Sequence, residues 1–194
     1  MQISTIILAG GRATRMGCVD KGMISFKNKP LIQHVISRLQ PQTNEILINA
    51  NREIAQYEAF GLPVLQDENA EFVGPLAGIC LGLKHAKHEF VLSVPCDSPL
   101  LPLDLALRLL NGMLESRADI AVASSGGDVH PVFCLMKKSV LHSLVDFLDA
   151  GERKVSAWQK SQQYCEVDFS DCNGAFVNLN TPEDLASLEQ KFPQ

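Results

Sequence analysis

A chain of 194 residues, 46% of them hydrophobic, has the length of one ordinary domain and can bury a sizeable core. Its net charge is −5, and no basic cluster extends beyond a few residues, which argues against a nucleic-acid partner. No stretch approaches the roughly 18 uninterrupted apolar residues of a membrane span, and no charged segment precedes an apolar one at the N-terminus, so a cytoplasmic protein without a membrane partner is expected.

The first element is an apolar run from Ile3 to Leu8, rich in β-branched residues, which reads as a buried strand. Leu8-Ala9-Gly10-Gly11-Arg12-Ala13-Thr14-Arg15-Met16-Gly17-Cys18-Val19-Asp20-Lys21 follows directly. The paired glycines allow a sharp turn and present no Cβ to a close ligand. Peptide N–H groups exposed in such a turn can bind phosphate oxygens. Arg15 offers a planar fork to phosphate, and Lys21 a mobile point charge. A plain turn is the competing reading, but the order of strand, double glycine, arginine, third glycine and lysine favours a nucleotide site. It is neither a Walker A loop nor a G-x-G-x-x-G dinucleotide fingerprint.

A helix is expected from Pro30, at its first position, to about Leu39. A short strand follows at Glu45–Asn49, then a helix at Arg52–Phe60 closed by Gly61, and a strand at Pro63–Gln66 that ends at Asp67. Gly74-Pro75-Leu76-Ala77-Gly78 opens a helix to about Ala86. Phe90–Val94 is another apolar strand, with Pro95-Cys96-Asp97 at its end. A helix from about Pro102 to Leu114, a strand at Ile120–Ala123, a polar loop at Ser124–Asp128, a strand at Pro131–Met136 and a helix at Lys137–Leu148 continue the pattern. Gln163–Asp168 and Ala175–Asn178 are further strand candidates. Thr181-Pro182-Glu183-Asp184 begins a helix to about Lys191. Alternating strands and helices predict an α/β protein with a mostly parallel sheet covered on both faces.

Ligands of open α/β sheets collect at the carboxyl ends of the strands, so Gly10, Asn49, Asp67 and Asp97 are the polar residues to inspect. Asp97 can ligate a hard cation such as Mg2+, which is typically held by one or two carboxylates plus substrate phosphates, or it can cap the next turn. Asp67 can cap its loop, add a second negative site or contact a ligand. Asn49 can hydrogen-bond a base or sugar, or simply form a turn. Small residues at Ala77 and Gly78 would let a planar base approach the backbone. The six cysteines are scattered, with no C-x-x-C pair, and read as small core residues.

Taken together, the first loop, Asn49-Ala50-Asn51-Arg52, Gly74-Pro75-Leu76-Ala77-Gly78, Pro95-Cys96-Asp97, His130-Pro131, Gly151-Glu152-Arg153 and Asn178-Leu179-Asn180-Thr181-Pro182 resemble the molybdenum cofactor guanylyltransferase family of the nucleotidyltransferase superfamily. The resemblance spans nearly the whole chain. It implies a single-domain, Rossmann-like, three-layer nucleotidyltransferase fold with a mostly parallel mixed sheet, its nucleotide half at about 1–100 and its acceptor half at about 101–194. It also implies transfer of GMP from GTP to molybdenum-bearing molybdopterin with release of diphosphate.

Carried over residue by residue, GTP would be bound by Leu8, Ala9, Gly10, Gly11, Arg15, Lys21, Asn49, Asp67, Gly78 and Asp97, with magnesium on Asp97. Arg15, Lys21 and Asp97 would be the catalytic set. His130, Arg153, Asn178 and Asn180 would line the pterin side. The segment before His130, Ser125-Gly126-Gly127-Asp128-Val129, lacks an arginine expected in similar proteins. The implied partners are GTP, molybdopterin and cofactor-handover proteins, with the chain a monomer or weak homo-oligomer. A cytidylyltransferase acting on molybdopterin or another phosphorylated acceptor is the nearest rival. A non-catalytic carrier of nucleotide or pterin is the rival from another class.

Overall fold

The structure, a computed structural model, describes residues 1–10, 20–67, 74–172, 174–177, 179 and 184. It is built on a seven-stranded sheet: β1 (Ile3–Leu8), β4 (Glu45–Asn49), β5 (Val64–Leu65), β6 (Phe90–Pro95), β7 (Ile120–Ser125), β8 (Asp128–Lys137) and β9 (Tyr164–Asp168), in the order β5-β4-β1-β6-β8-β7-β9. Two short strands, β2 (Ser25–Phe26) and β3 (Lys29–Pro30), form a separate antiparallel hairpin. Among the described residues the helices are α1 (Leu31–Leu39), α2 (Ile54–Glu58), α3 (Pro75–His85), α4 (Leu105–Ser116), α5 (Leu141–Asp149) and α6 (Val155–Lys160).

Strand β1 lies inside the sheet and runs parallel to both β4 and β6. A parallel strand with helices on both faces has no polar side, which is why Ile3 to Ile7 is continuously buried. Strand β8 is antiparallel to β6 and to β7, while β9 is parallel to β7. The sheet is therefore mostly parallel and mixed, as expected. This pairing also places the start of β8 beside the carboxyl ends of β6 and β7.

Two hydrophobic layers sandwich the sheet. On one face α1, α2 and α4 contribute Ile32, Val35, Leu39, Tyr57, Leu105, Leu109 and Met113 against Ile7, Leu92 and Leu135. On the other, α3, α5 and α6 contribute Leu76, Ile79, Leu83, Leu144, Leu148 and Trp158 against Ile6, Leu47 and Val122. Helix α3 packs directly on the sheet through glycines at two positions one turn apart. A Cβ on Gly82 would lie 2.7 Å from Ile6, and one on Gly78 would lie 2.7 Å from Leu8. The amino end of α3 is thereby drawn to the carboxyl edge of β1.

Several local expectations need correction. Lys29 and Pro30 pair with Phe26 and Ser25, so Pro30 caps α1 rather than opening it. The loop at Ser124–Asp128 shrinks to a turn at Gly126 and Gly127, because both flanking strands extend into it. Helix α6 was not expected; its six residues give no readable period, yet they bury Trp158 and Gln159. Gly174, Ala175 and Phe176 form a turn, not a strand. Of the expected helix from Thr181 to Lys191 only Asp184 is described, and it is helical; the rest lies outside the described residues.

Candidate active site

The carboxyl edge of the sheet gathers most of the residues singled out above. Backbone hydrogen bonds extend the ladder past the strand ends: Ala9 N–H donates to the Asn49 carbonyl at 2.8 Å, and Cys96 N–H donates to the Leu8 carbonyl at 3.1 Å. Leu8, Ala9 and Gly10 are thus held between the end of β4 and the end of β6.

On the β4 side a polar network fixes one amide. Asn49 Nδ2 donates to the Leu65 carbonyl at 3.3 Å and to Asp67 Oδ1 at 2.8 Å. With both donors engaged, Asn49 Oδ1 faces the gap between Gly10 and Gly78. A Cβ on Gly78 would come within 2.3 Å of that oxygen, and one on Gly10 within 3.8 Å. Asp67 is held in turn by Asn51, whose Nδ2 donates to Asp67 Oδ2 at 2.6 Å while its Oδ1 accepts from the Asp67 N–H at 2.8 Å. Sequence reasoning gave Asn51 no role; only its place two residues after Asn49 hinted at one. The result is a floor of backbone and small side chains, with one oriented carbonyl oxygen at its rim. It can accept a hydrogen bond from a planar ring laid across Gly78.

On the β6 side, Lys21 Nζ lies 3.3 Å from Asp97 Oδ2, the two side chains being 23% and 8% exposed. Asp97 follows the apolar strand β6, so most of its surroundings are dry. Burial raises its pKa above the usual carboxylate value, and the Lys21 ammonium opposes that rise. The Asp97 carbonyl accepts from Leu179 N–H at 3.1 Å, which brings the described part of the C-terminal segment to the same edge. Cys96, next to Asp97, is fully buried, and desolvation pushes its thiol well above the ordinary range. It stays a neutral core thiol, not a nucleophile.

The donor set around Asp97 suits a hard, strongly hydrated divalent cation. No group of three His, Cys, Asp or Glu side chains that could cage a metal occurs among the described residues. A lone, rigidly placed carboxylate is what a magnesium ion needs when phosphates and waters fill its other positions.

Across β6, His130 stands at the start of β8, beside the same edge. Its ring stacks on Phe176, with centroids 4.6 Å apart and planes 12° apart, and its Nε2 lies 2.7 Å from Ser125 Oγ. Burial lowers its pKa, with Asp128 opposing the shift, which favours the neutral ring. Phe176 was not singled out in the sequence, where no periodic pattern marks it. Arg153 lies just beyond α5, and its Nη1 donates to the carbonyls of Leu148 and Glu152, both at 2.7 Å. It closes the carboxyl end of α5. Gly11, Arg15, Asn178 and Asn180 lie outside the described residues.

The carboxyl edge thus holds a lysine paired with a carboxylate just past β6 and a cradle floored by Gly10 and Gly78. A family model described as the MobA-like NTP transferase domain matches residues 5–164. This chain belongs to the MobA-like NTP transferase family. Among MobA-like relatives, the molybdenum cofactor guanylyltransferase of Shewanella halifaxensis is 46% identical over 187 residues, covering 96% of this chain and 94% of that protein. The protein of the same name from Shewanella sp. strain MR-4 is 46% identical over 194 residues, covering 100% of this chain and 98% of that protein. The MobA-like fold is seen in the crystal structure of molybdopterin-guanine dinucleotide biosynthesis protein A from Archaeoglobus fulgidus, with a TM-score of 0.80, 20% identity and 97% coverage of both chains.

Proposed function

We propose that this chain is a magnesium-dependent molybdenum cofactor guanylyltransferase, transferring GMP from GTP to molybdenum-bearing molybdopterin and releasing diphosphate. The observation that carries the reading is the Lys21–Asp97 pair, 3.3 Å apart, at the carboxyl edge beside the Gly10–Gly78 cradle. Full-length relatives named as guanylyltransferases support guanine as the base and molybdopterin as the acceptor.

The chemistry needs no protein nucleophile. A terminal phosphate oxygen of molybdopterin attacks the α-phosphorus of GTP, a new P–O bond forms, and the bond to the β-phosphate oxygen breaks. The electron pair leaves with diphosphate. Catalysis of such displacements is mainly positioning and neutralisation of charge. When bound at Asp97, magnesium would supply Lewis-acid neutralisation of the phosphate oxygens. Lys21 adds a fixed positive charge on the phosphate side, and Arg15, Gly10 and Gly11 complete the phosphate grip. Leu8, Ala9 and Gly78 form the floor under the base, with Asn49 and Asp67 contacting the nucleoside.

His130, Arg153, Asn178 and Asn180 form the acceptor side, so that residues of about 1–100 serve the nucleotide and those of about 101–194 the pterin. No helix among the described residues is long and apolar enough to cross a membrane. As part of the same proposal, the enzyme works in the cytoplasm as a monomer or weak homo-oligomer and delivers its product to handover proteins.

The decisive assay mixes the protein with magnesium, molybdopterin and either GTP or CTP and follows diphosphate release. Release with GTP only is expected. Release with CTP only identifies a cytidylyltransferase, and binding of both substrates without release identifies a carrier.

A further inference from the structure

Behind Lys21 lies a buried polar pair that the transfer chemistry does not use directly. Tyr57, on α2, is 0% exposed and packed in the core face that also holds Ile7, Val35 and Cys96. Its hydroxyl donates to Asp20 Oδ1. Asp20 is itself only 7% exposed, and the same oxygen accepts from the Gly22 N–H at 3.4 Å. A buried carboxylate without such donors would be strongly unfavourable, and a phenol sealed from water needs an acceptor. Phenylalanine would fill the same apolar space, so the hydroxyl is present for Asp20.

The contact grips the backbone on both sides of Lys21. Asp20 caps the short 3-10 turn Lys21–Met23 through the Gly22 amide. The Asp20 carbonyl accepts from Met23 N–H at 3.0 Å, and the Lys21 carbonyl accepts from Ile24 N–H at 3.2 Å. On the far side, a Cβ on Gly22 would lie 2.6 Å from the Tyr57 hydroxyl oxygen, so only glycine lets the turn press onto the ring. Lys21 therefore projects from a turn pinned to the core before and after it, and its ammonium arrives 3.3 Å from Asp97 Oδ2.

We propose that Tyr57 and Asp20 are positioning residues for Lys21: the buried Tyr57–Asp20 hydrogen bond sets the turn from which Lys21 reaches the phosphate side of the transfer site. The inference rests on the reading of Lys21 as part of that site. Tyr57 touches no reacting atom in this arrangement. It acts through Asp20, and Asp20 acts through the backbone.

The test is a double-mutant cycle on the full chain, with melting temperatures recorded for every variant. Tyr57→Phe should lower kcat by about tenfold or more, a misplacement of about 1 Å being able to cost about a hundredfold, with KM for GTP changed less than about threefold. In a Lys21→Ala background the same change should alter kcat by no more than about twofold, because the group it positions is gone. Asp20→Asn keeps an oxygen that both Tyr57 and Gly22 can donate to, and should recover most of the rate that Asp20→Ala loses. Equal fold losses from Tyr57→Phe with and without Lys21, or an Asp20→Asn variant as slow as Asp20→Ala, would overturn the proposal. Wild-type turnover separately tests the enzymatic reading. Should wild type release no diphosphate, the 13Cε resonance of Lys21 in the unliganded protein still decides: it should move in Tyr57→Phe, and an unmoved resonance counts against the positioning role.

Discussion

Asn49 and Gly78 meet so closely that a single added methyl group would not fit: a Cβ at residue 78 would lie 2.3 Å from Asn49 Oδ1. Because Asn49 Nδ2 is tied to Leu65 and Asp67, the amide cannot turn away without losing a bond. Gly78→Ala should therefore cost about 1–3 kcal/mol of stability, as overpacking does, and should raise KM for GTP by about tenfold, each tenfold corresponding to about 1.4 kcal/mol. Gly82→Ala, whose Cβ would meet Ile6 at 2.7 Å one turn away from the cradle, should lower the melting temperature similarly and leave KM unchanged. Equal KM effects at the two positions would show that the cradle is not where the base sits.

Asn51 touches Asp67 through two hydrogen bonds, of 2.6 and 2.8 Å. Asn51→Ala removes both and leaves Asp67 held by Asn49 alone. The expected result is a KM for GTP raised about five- to tenfold with kcat within about twofold, since the loss falls on binding rather than on the reacting phosphates. Steady-state kinetics at varied GTP checks it, and a fall in kcat at unchanged KM would contradict it.

The ends of the strands were legible in the sequence because each apolar run stops at a polar residue, and the sheet brings those stops to one edge. Gly10, Asn49, Asp67 and Asp97 were found that way. The Tyr57–Asp20 pair was not, since its members are 37 positions apart and a tyrosine in a helix reads as core whether or not its hydroxyl is used. Phe176 escaped notice for a related reason: it sits in a turn, and only the return of the chain beside β8 sets it on His130. Helix α6 was too short to show a period, and its main anchor, Trp158, is buried against the face built by α3 and α5.

Asp97 carries a charge in a site that resists one, because burial raises its pKa despite Lys21. A carboxylate whose folded pKa is raised supports the fold fully below its unfolded pKa and loses that support as pH rises through the folded value. At neutral pH, Asp97→Asn should therefore leave the unliganded protein at least as heat-stable as wild type while lowering turnover by about a hundredfold or more, the order of a lost electrostatic contributor to the transition state. The stability difference should shrink as pH falls into the carboxylate range. Melting curves at several pH values, with turnover at neutral pH, check both halves.

His130 gives the opposite sign on the acceptor side. Burial lowers its pKa, so its neutral, stacked form supports the fold fully above the ordinary histidine value of about 6.5, and that support is lost as pH falls through the lowered folded value. The melting-temperature advantage of wild type over His130→Phe should decline on acidification below about pH 6.5. An advantage independent of pH would mean that the ring titrates alike in the folded and unfolded chain, as a freely solvated ring does.

The most direct measurement is mass-spectrometric detection of the product after the purified protein is mixed with GTP, magnesium and molybdopterin. Molybdopterin guanine dinucleotide and diphosphate should appear in equal amounts, and both should vanish with Asp97→Ala. A dinucleotide formed only from CTP, or none formed while both substrates stay bound, would contradict guanylyl transfer.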